Sequence, residues 1–113
     1  MIGIDIVSIP RIEEMLKKFN NKALKKFLND NEIKLIKSPQ TAAGFWAAKE
    51  AFSKAIGTGI GKECSFLDIE IKKNEKGKPY FADKTLKKFN LKQADLSISH
   101  DGNFAIAAVI VFK

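Results

Sequence analysis

An otherwise apolar segment, FWAAKEAFSKA at residues 45–55, carries three charged side chains, Lys49, Glu50 and Lys54. Glu50 and Lys54 are four residues apart, so they share one face of a helix and could form an ordinary surface ion pair. A second carboxylate, Asp5, stands in the isoleucine-rich segment IGIDI, where an acidic side chain gains little from packing. If the fold brings Asp5 and Glu50 together, their oxygens suit Mg²⁺, whose coordination substrate phosphates often complete.

His100, in the segment SISHDG, is the only histidine of the chain. Three roles are open for it: a hydrogen-bonded structural imidazole, a general base, or a contact to phosphate or a heterocycle. A Zn²⁺ site would need more ligands than His100 and the single cysteine, Cys64, can supply. A hydrolase triad of Ser99, His100 and Asp101 is disfavoured, because neighbours along a strand point to opposite faces.

The composition is that of a basic globular protein. With 113 residues, the chain has the size of one domain, and we expect a single domain over residues 1–113. Its 20 basic and 13 acidic side chains give a net charge of +7, which favours an anionic partner. Arg11 is the only arginine among those cations. Because proteins that read nucleic-acid bases rely heavily on arginine, nucleic acid is the less favoured partner.

Three features indicate a cytoplasmic protein. The longest uncharged runs are eleven residues, well short of the roughly 20 that span a bilayer, so no membrane helix is expected. The segment MIGIDIVSIP lacks the basic region of a secretory signal. A lone cysteine, Cys64, fits a reducing compartment.

Apolar spacing predicts a strand and several helices in the first half of the chain. Residues 2–7 alternate like a strand, with Asp5 on the face opposite the isoleucines. The pattern then predicts an amphipathic helix to about residue 19, a second short helix after Asn20-Asn21 and a helical turn capped by Asp30. Ser38-Pro39 begins a long helix that ends near Ile56.

The second half of the chain is rich in predicted strands. Its segments are, in order, a strand over residues 67–72, a returning strand at 80–81, a short helix over 84–90, a strand over 96–99 and an apolar strand over 104–112. The last strand is apolar on both faces, so we expect it to be central. This order predicts an α+β fold with a mostly antiparallel sheet packed on the long helix.

Three segments, IGIDIVSIPRIE, WAAKEAFSKAIGTGIG and SISHDGNFAIA, resemble in order and spacing the motifs of the 4′-phosphopantetheinyl transferases. The intervening FLDIEI and NEKGKPY also fit, so the resemblance spans nearly the whole chain. A short chain with one copy of each motif resembles the homotrimeric branch of that family. The resemblance implies the transferase fold and transfer of the 4′-phosphopantetheine group of coenzyme A to a serine of an apo acyl carrier protein, releasing adenosine 3′,5′-bisphosphate in support of fatty acid biosynthesis.

The resemblance also implies catalytic roles. Asp5 and Glu50 correspond to the family's Mg²⁺-binding carboxylates, and Lys54 to the lysine that stabilises the departing phosphate. Such charge neutralisation is what phosphoryl transfer requires. For the base that accepts the serine proton, our hypothesis is Glu50, directly or through a metal-bound water; Asp5 and bulk water are alternatives.

Nucleotide contacts are implied at several further positions. The resemblance places His100 and the Gly77-Lys78-Pro79 turn, hence Lys78 and Pro79, near the nucleotide of coenzyme A. Gly57 opens the loop GTGIG, whose backbone amides could approach phosphate. A helix cap followed by a turn is the simpler interpretation of Gly57.

Partner surfaces follow from the same resemblance. Arg11, Met15 and Lys18 lie on the helix that in this family meets the acidic recognition helix of the carrier protein, and the active sites of the short branch lie between subunits of a homotrimer. The alternative function, of a different class, is a non-catalytic basic domain that binds RNA or an acidic protein. That alternative predicts salt-sensitive binding without a divalent metal.

One position departs from the family pattern. Phe45 stands where the short branch commonly has an arginine ahead of its aromatic residue. If that arginine holds a coenzyme A phosphate, the contact comes here from another residue, Lys49 or Lys62, or is absent.

Overall fold

The computed structural model describes residues 1–113. Its elements are β1 (Ile2–Ser8), α1 (Ile9–Phe19), α2 (Asn21–Phe27), α3 (Asp30–Ile33), α4 (Pro39–Ala55), a 3₁₀ helix (Phe66–Asp68), β2 (Ile71–Lys73), β3 (Pro79–Phe81), α5 (Asp83–Lys88), β4 (Gln93–Asp101) and β5 (Phe104–Phe112). One antiparallel sheet has the strand order β1-β5-β4, and β2 pairs with β3 in a second. The predicted antiparallel α+β fold is confirmed. None of the helices combines the length and the apolar character needed to cross a membrane.

Helix α4 lies against one face of the three-stranded sheet. It begins where Ser38 caps it, accepting a hydrogen bond from the Thr41 amide at 3.3 Å, and it ends before Gly57, whose φ is +88°. Both boundaries agree with the prediction. The sheet-facing side of the helix is rich in alanine, so the two layers come close together.

Gly3 marks the closest approach of β1 to α4. A Cβ at this position would lie 1.9 Å from the Ala51 carbonyl oxygen and 2.6 Å from the Ala55 amide nitrogen. Only glycine therefore fits here, and the β1 backbone rests directly on the helix. This contact fixes the distance of Asp5, two residues further along the same face, from α4.

The central strand β5 buries only one of its two apolar faces. Alternate residues of β5 pack under α4, while their neighbours, with Ile2, Ile4 and Ile6 of β1, remain exposed on the other side. We call this second side the apolar sheet face, and its members are Ile2, Ile4, Ile6, Phe104, Ile106, Ile110 and Phe112. The central position predicted for β5 is confirmed. The three isoleucines of β1 are 59 to 70% exposed, so a large apolar surface lacks a partner within this chain.

One predicted strand is wrong at its start. Residues 66–68 form a 3₁₀ helix, because the Asp68 carboxylate accepts a hydrogen bond from the Ser65 amide at 2.9 Å and closes the turn. The strand begins only at Ile71. A local side-chain bond thus outweighs the alternating pattern that suggested a longer strand.

A buried ion pair joins α4 to the elements around it. The Lys49 ammonium is fully buried and donates to Glu32 Oε1 at 2.8 Å, to the Phe27 carbonyl at 2.7 Å and to the Phe66 carbonyl at 3.0 Å. The other oxygen of Glu32 accepts the Ile71 amide at 2.9 Å. All three ammonium hydrogens therefore have acceptors, and the pair connects α2, α3, α4 and β2.

The start of α3 differs by one residue from the prediction. Asn29, rather than Asp30, caps the helix: its side chain accepts the Glu32 amide at 2.8 Å, and Glu32 in turn accepts the Asn29 amide at 2.9 Å. This reciprocal capping box orients the carboxylate that Lys49 contacts.

Candidate active site

The carboxylate of Asp5 projects from β1 toward α4. Its side chain is 15% exposed, and Oδ1 accepts a hydrogen bond from the Lys54 ammonium at 3.0 Å. Lys54 also donates to the Ile4 carbonyl at 3.2 Å. Lys54 thus pairs with Asp5 on the neighbouring strand and forms no ion pair with Glu50, which argues against an ordinary surface pair along the helix.

Glu50 is the second acid of this group. Burial raises the pKa of the Glu50 carboxyl above its usual value, and the negative charge of Asp5 raises it further, while Lys54 and Arg11 act in the opposite direction. Asp5 is therefore close enough to Glu50 for its negative charge to affect the ionisation of the Glu50 carboxyl. The structure brings Asp5, Glu50 and Lys54 together, as the resemblance implies, and it leaves two acidic groups in unfavourable proximity.

This donor set fits Mg²⁺. Mg²⁺ is typically held by one or two carboxylates, with waters and substrate phosphates filling the rest of its shell. The chain contains no group of three or more His, Cys, Asp or Glu side chains that could enclose a metal, so a closed Zn²⁺ site has no ligands here. A divalent cation between Asp5 and Glu50 would also relieve the repulsion that raises the pKa of Glu50.

Helix α1 places its basic face near this group. Arg11 is exposed and close enough to act on the pKa of Glu50. Met15 is half-buried one turn further on, and Lys18 is exposed, with its ammonium 3.7 Å from Glu14. A cationic surface with one apolar side chain therefore adjoins the acidic pair.

A cleft of about 180 Å³ lies on the other flank of α4. We call it the α4–β4 cleft, and its lining residues are Thr41, Gly44, Phe45, Lys73, Gly77, Pro79, Ile98 and His100. His100 Nε2 lies 2.9 Å from the Gln40 carbonyl oxygen. Because a carbonyl only accepts, Nε2 carries the proton and the other ring nitrogen is free to contact a ligand.

Gly44 lets β4 pack closely on α4 at one side of this cleft. A Cβ on Gly44 would lie 3.0 Å from Ile98 Cγ2 and 3.2 Å from His100 Nε2, so a side chain here would press on both groups. The glycine within the helix therefore lets Ile98 and the imidazole of His100 lie directly against the helix backbone.

The other predicted nucleotide contacts lie in different surroundings. Pro79 lines the cleft, whereas the Lys78 ammonium donates to the Leu96 carbonyl at 3.2 Å and is not among the lining groups. Gly57 ends α4 in a left-handed conformation and has open space around it. The simpler interpretation of Gly57, a helix cap, agrees with this geometry.

The acidic pair and the cleft lie on opposite flanks of α4. Asp5 is level with Ala107 of β5 and, beyond it, Ile98 of β4, so two strand spacings, roughly 9–10 Å, separate the two edges. Around the helix, Gly44 and Glu50 are six residues apart, which separates their directions by about 120°. Within one chain, His100 and Pro79 therefore lie on a different side of α4 from Asp5 and Glu50.

The structure shows what surrounds Phe45, the residue that stands where the family pattern has an arginine. Phe45 is buried beneath the cleft, and the ammonium of Lys73 lies 5.8 Å from the centroid of its ring. The hypothesis that Lys49 supplies the contact is wrong, because its ammonium is buried and fully bonded. Sequence reasoning missed Lys73 because it is one of 19 lysines and no motif marks it. The glycine at position 44, inside a predicted helix, is the sequence signal that another element packs closely on the helix there.

Comparisons with known proteins agree on one family. Residues 1–109 match the family model described as the 4′-phosphopantetheinyl transferase superfamily. The chain is 77% identical to the holo-[acyl-carrier-protein] synthase of Nautilia profundicola over 113 residues, covering all of both chains. The Helicobacter pylori holo-[acyl-carrier-protein] synthase, solved in complex with coenzyme A, superposes with a TM-score of 0.92 at 51% identity and 98% coverage of this chain and 99% of that one.

A Bacillus anthracis holo-(acyl-carrier-protein) synthase, solved in complex with CoA (3′,5′-ADP), gives a TM-score of 0.82 at 45% identity, covering 97% of this chain and 93% of that one. The chain therefore belongs to the 4′-phosphopantetheinyl transferase superfamily, in its holo-[acyl-carrier-protein] synthase branch. The predictions of the family, of the fold and of a phosphopantetheinyl transferase are confirmed. The alternative of a non-catalytic basic domain gains no support.

Proposed function

We propose that the chain transfers the 4′-phosphopantetheine group of coenzyme A to a serine hydroxyl of an apo acyl carrier protein, using Mg²⁺ held by Asp5 and Glu50. The observation that carries the proposal is the convergence of Asp5, Glu50 and Lys54 between β1 and α4. Two acids and one amine are the groups that a metal-assisted phosphoryl transfer needs.

In the reaction, the serine oxygen forms a bond to the phosphorus that bears the pantetheine arm. The bond from that phosphorus to the bridging oxygen of the pyrophosphate breaks, and adenosine 3′,5′-bisphosphate leaves. Mg²⁺, when bound, neutralises charge on the pyrophosphate oxygens. Glu50, directly or through water, accepts the serine proton, and its raised pKa makes it a better proton acceptor than an ordinary glutamate.

Lys54 is suited to stabilise the departing phosphate. Its side chain is 51% exposed, so the ammonium can contact a ligand that enters beside Asp5. An ammonium also forms charge-assisted hydrogen bonds to phosphate oxygens. Lys54 therefore positions positive charge where negative charge accumulates as the leaving group departs.

The basic face of α1 is the proposed docking surface for the carrier protein. Arg11 and Lys18 offer positive charge to an acidic helix, and Met15 between them offers an adaptable apolar contact. Because Arg11 is close to Glu50, a carrier protein held on this surface would present its serine beside the acidic pair. The carrier protein would therefore bind directly beside the residues proposed to catalyse the transfer.

A homotrimer with active sites between subunits is supported by two observations. The apolar sheet face is large and exposed in a single chain, and a second copy would cover it. The acidic pair and the α4–β4 cleft lie on opposite flanks of α4, so one coenzyme A molecule could use both most directly if they belong to adjacent copies.

The proposed setting is the cytoplasm. Cys64 is buried and unpaired, and burial, with Asp68 adding to it, raises the pKa of its thiol to about 11. Such a thiol is unreactive, and a lone reduced cysteine fits a reducing compartment.

Intact-mass spectrometry of an apo acyl carrier protein tests the proposed reaction. After incubation with this protein, coenzyme A and Mg²⁺, we expect the carrier protein to gain the mass of one phosphopantetheine. Adding EDTA should abolish the gain. Transfer at full rate in EDTA would contradict the metal role, and no transfer to several carrier proteins by a folded sample would contradict the function.

The trimer leads to a separate prediction. Ile106 lies at the centre of the apolar sheet face, between Ile6 and Ser99. Ile106→Lys would place a charge in a desolvated interface, so we expect the mass in solution to fall to one third and transfer to be lost. Light scattering after size exclusion measures the mass.

Leu67→Lys is the matched control, because Leu67 is also an exposed apolar residue, at 53% against 37% for Ile106, but lies outside the apolar sheet face. This variant should keep the mass and the activity of the unmodified protein. A monomeric unmodified protein, or a trimeric Ile106→Lys variant, would contradict the assembly.

A further inference from the structure

The ammonium of Lys54 is held by two acceptors on β1. It donates to Asp5 Oδ1 at 3.0 Å and to the Ile4 carbonyl at 3.2 Å. Because β1 lies at the edge of its sheet, backbone groups on its outer side are free to bond with a side chain such as that of Lys54. Lys54 therefore neutralises the charge of Asp5 directly, from a position fixed by the backbone of the same strand.

Asp5 Oδ1 is also an oxygen that a divalent cation would use. The site offers such a cation only two carboxylates, those of Asp5 and Glu50, because no larger group of ligating side chains is present. An ammonium and a divalent cation repel each other, and screening by solvent is weakened beside a carboxylate that is 15% exposed. A metal therefore binds Asp5 at the expense of the Lys54 contact.

We propose that Lys54 competes with the divalent cation for Asp5, so that the site binds the metal weakly until a phosphate ligand draws the ammonium away. This inference rests on the proposed function, which assigns the metal to Asp5 and Glu50 and the departing phosphate to Lys54. The pyrophosphate of coenzyme A offers new acceptors to the ammonium. Its arrival would thus release Asp5, and by linkage coenzyme A and the metal would each strengthen binding of the other.

The exposure of Lys54 allows it to exchange partners in this way. Its side chain is 51% exposed, and a partly solvated ion pair is weak enough for a competing anion to break. Lys49 on the same helix is the opposite case, because its ammonium is fully buried with three acceptors in place. Of these two lysines, only Lys54 can leave its carboxylate when a ligand arrives.

Titration with Mn²⁺ in the absence of coenzyme A, followed by electron paramagnetic resonance of the free ion, tests the competition. Lys54→Met removes the competing ammonium and should bind Mn²⁺ about two- to fivefold more tightly than the unmodified protein, the range expected for breaking an exposed ion pair. Lys54→Arg keeps the charge and the donors and should bind Mn²⁺ as the unmodified protein does. Thermal unfolding of each variant checks that the fold is retained.

Arg11→Met is the control for a general loss of positive charge. Arg11 acts on Glu50 through its charge but forms no ion pair with Asp5. This variant should therefore increase the affinity for Mn²⁺ less than Lys54→Met does. An equal increase in the two variants would overturn the inference, because the effect would then be one of overall charge.

The coupling to coenzyme A gives a second measurement. Saturating coenzyme A should raise the affinity of the unmodified protein for Mn²⁺, and the increase should be smaller in Lys54→Met, where Asp5 is already released. Unchanged or weaker Mn²⁺ binding by Lys54→Met would overturn the competition and leave the metal site intact. An unmodified protein that binds no Mn²⁺, even with coenzyme A, would overturn both the metal role and this inference. If the competition is observed but no carrier protein gains mass, the transferase role fails while the inference stands.

Discussion

Replacing Glu50 with glutamine is expected to abolish phosphopantetheine transfer, with kcat lowered about 10³-fold or more. The amide keeps the size of the side chain but removes one of two carboxylates from the group that includes Asp5 and Lys54. It also cannot accept the serine proton. The measurement is the rate of carrier-protein modification at saturating coenzyme A and Mg²⁺, followed by mass spectrometry.

Glu63→Gln provides the control for the same chemical change, because Glu63 lies exposed in the loop after α4. This variant should transfer at the unmodified rate. A Glu50→Gln variant with near-normal turnover would remove Glu50 from the catalytic group. Titration of each protein with Mn²⁺, followed by electron paramagnetic resonance, should show weaker binding by Glu50→Gln alone, which separates metal affinity from catalysis.

Lys49→Met is expected to cost about 3–5 kcal/mol of the free energy of unfolding. The methionine fills most of the space of the lysine but leaves the buried Glu32 carboxylate without its cationic partner. It also leaves the carbonyls of Phe27 and Phe66 without a donor. Urea unfolding at neutral pH, followed by circular dichroism, measures the change.

The control is Lys54→Met on the same helix, where the lysine is 51% exposed and its ion pair with Asp5 is partly solvated. This variant should lose less than about 1 kcal/mol of stability while losing activity. Unfolding therefore identifies Lys49 as the lysine that supports the fold, and the transfer assay identifies Lys54 as the lysine that supports activity. Similar unfolding free energies for the two variants would show that the buried pair does not support the fold.

The sequence predicts most of the architecture because its signals are local. Ser38-Pro39 and Gly57 mark the ends of α4 through a cap and a left-handed residue, and both boundaries agree with the structure. The apolar pattern of residues 104–112 correctly predicts a central strand. At residues 67–72 the alternating pattern competes with the Asp68 turn, and the turn prevails over the first residues.

The roles of the charged residues were harder to predict, because they depend on contacts between distant segments. Nothing in the spacing of Lys49, Glu50 and Lys54 distinguishes the one that is buried with Glu32 from the two beside Asp5. The motif resemblance separated Glu50 and Lys54 from Lys49 only in part. It could not show that α4 divides the acidic pair from the cleft that contains His100.

The pairing of β1 has a consequence for biosynthesis. Within the sheet, β1 is bonded only to β5, and Asp5 is opposite Ala107, about a hundred residues later in the chain. Contacts of such long sequence separation form late in folding, because a large loop must close before they contribute. During translation, the strand that carries Asp5 therefore waits for residues 104–112 to leave the ribosome, and the acid proposed to bind the metal takes its place only after the rest of the sheet has been made.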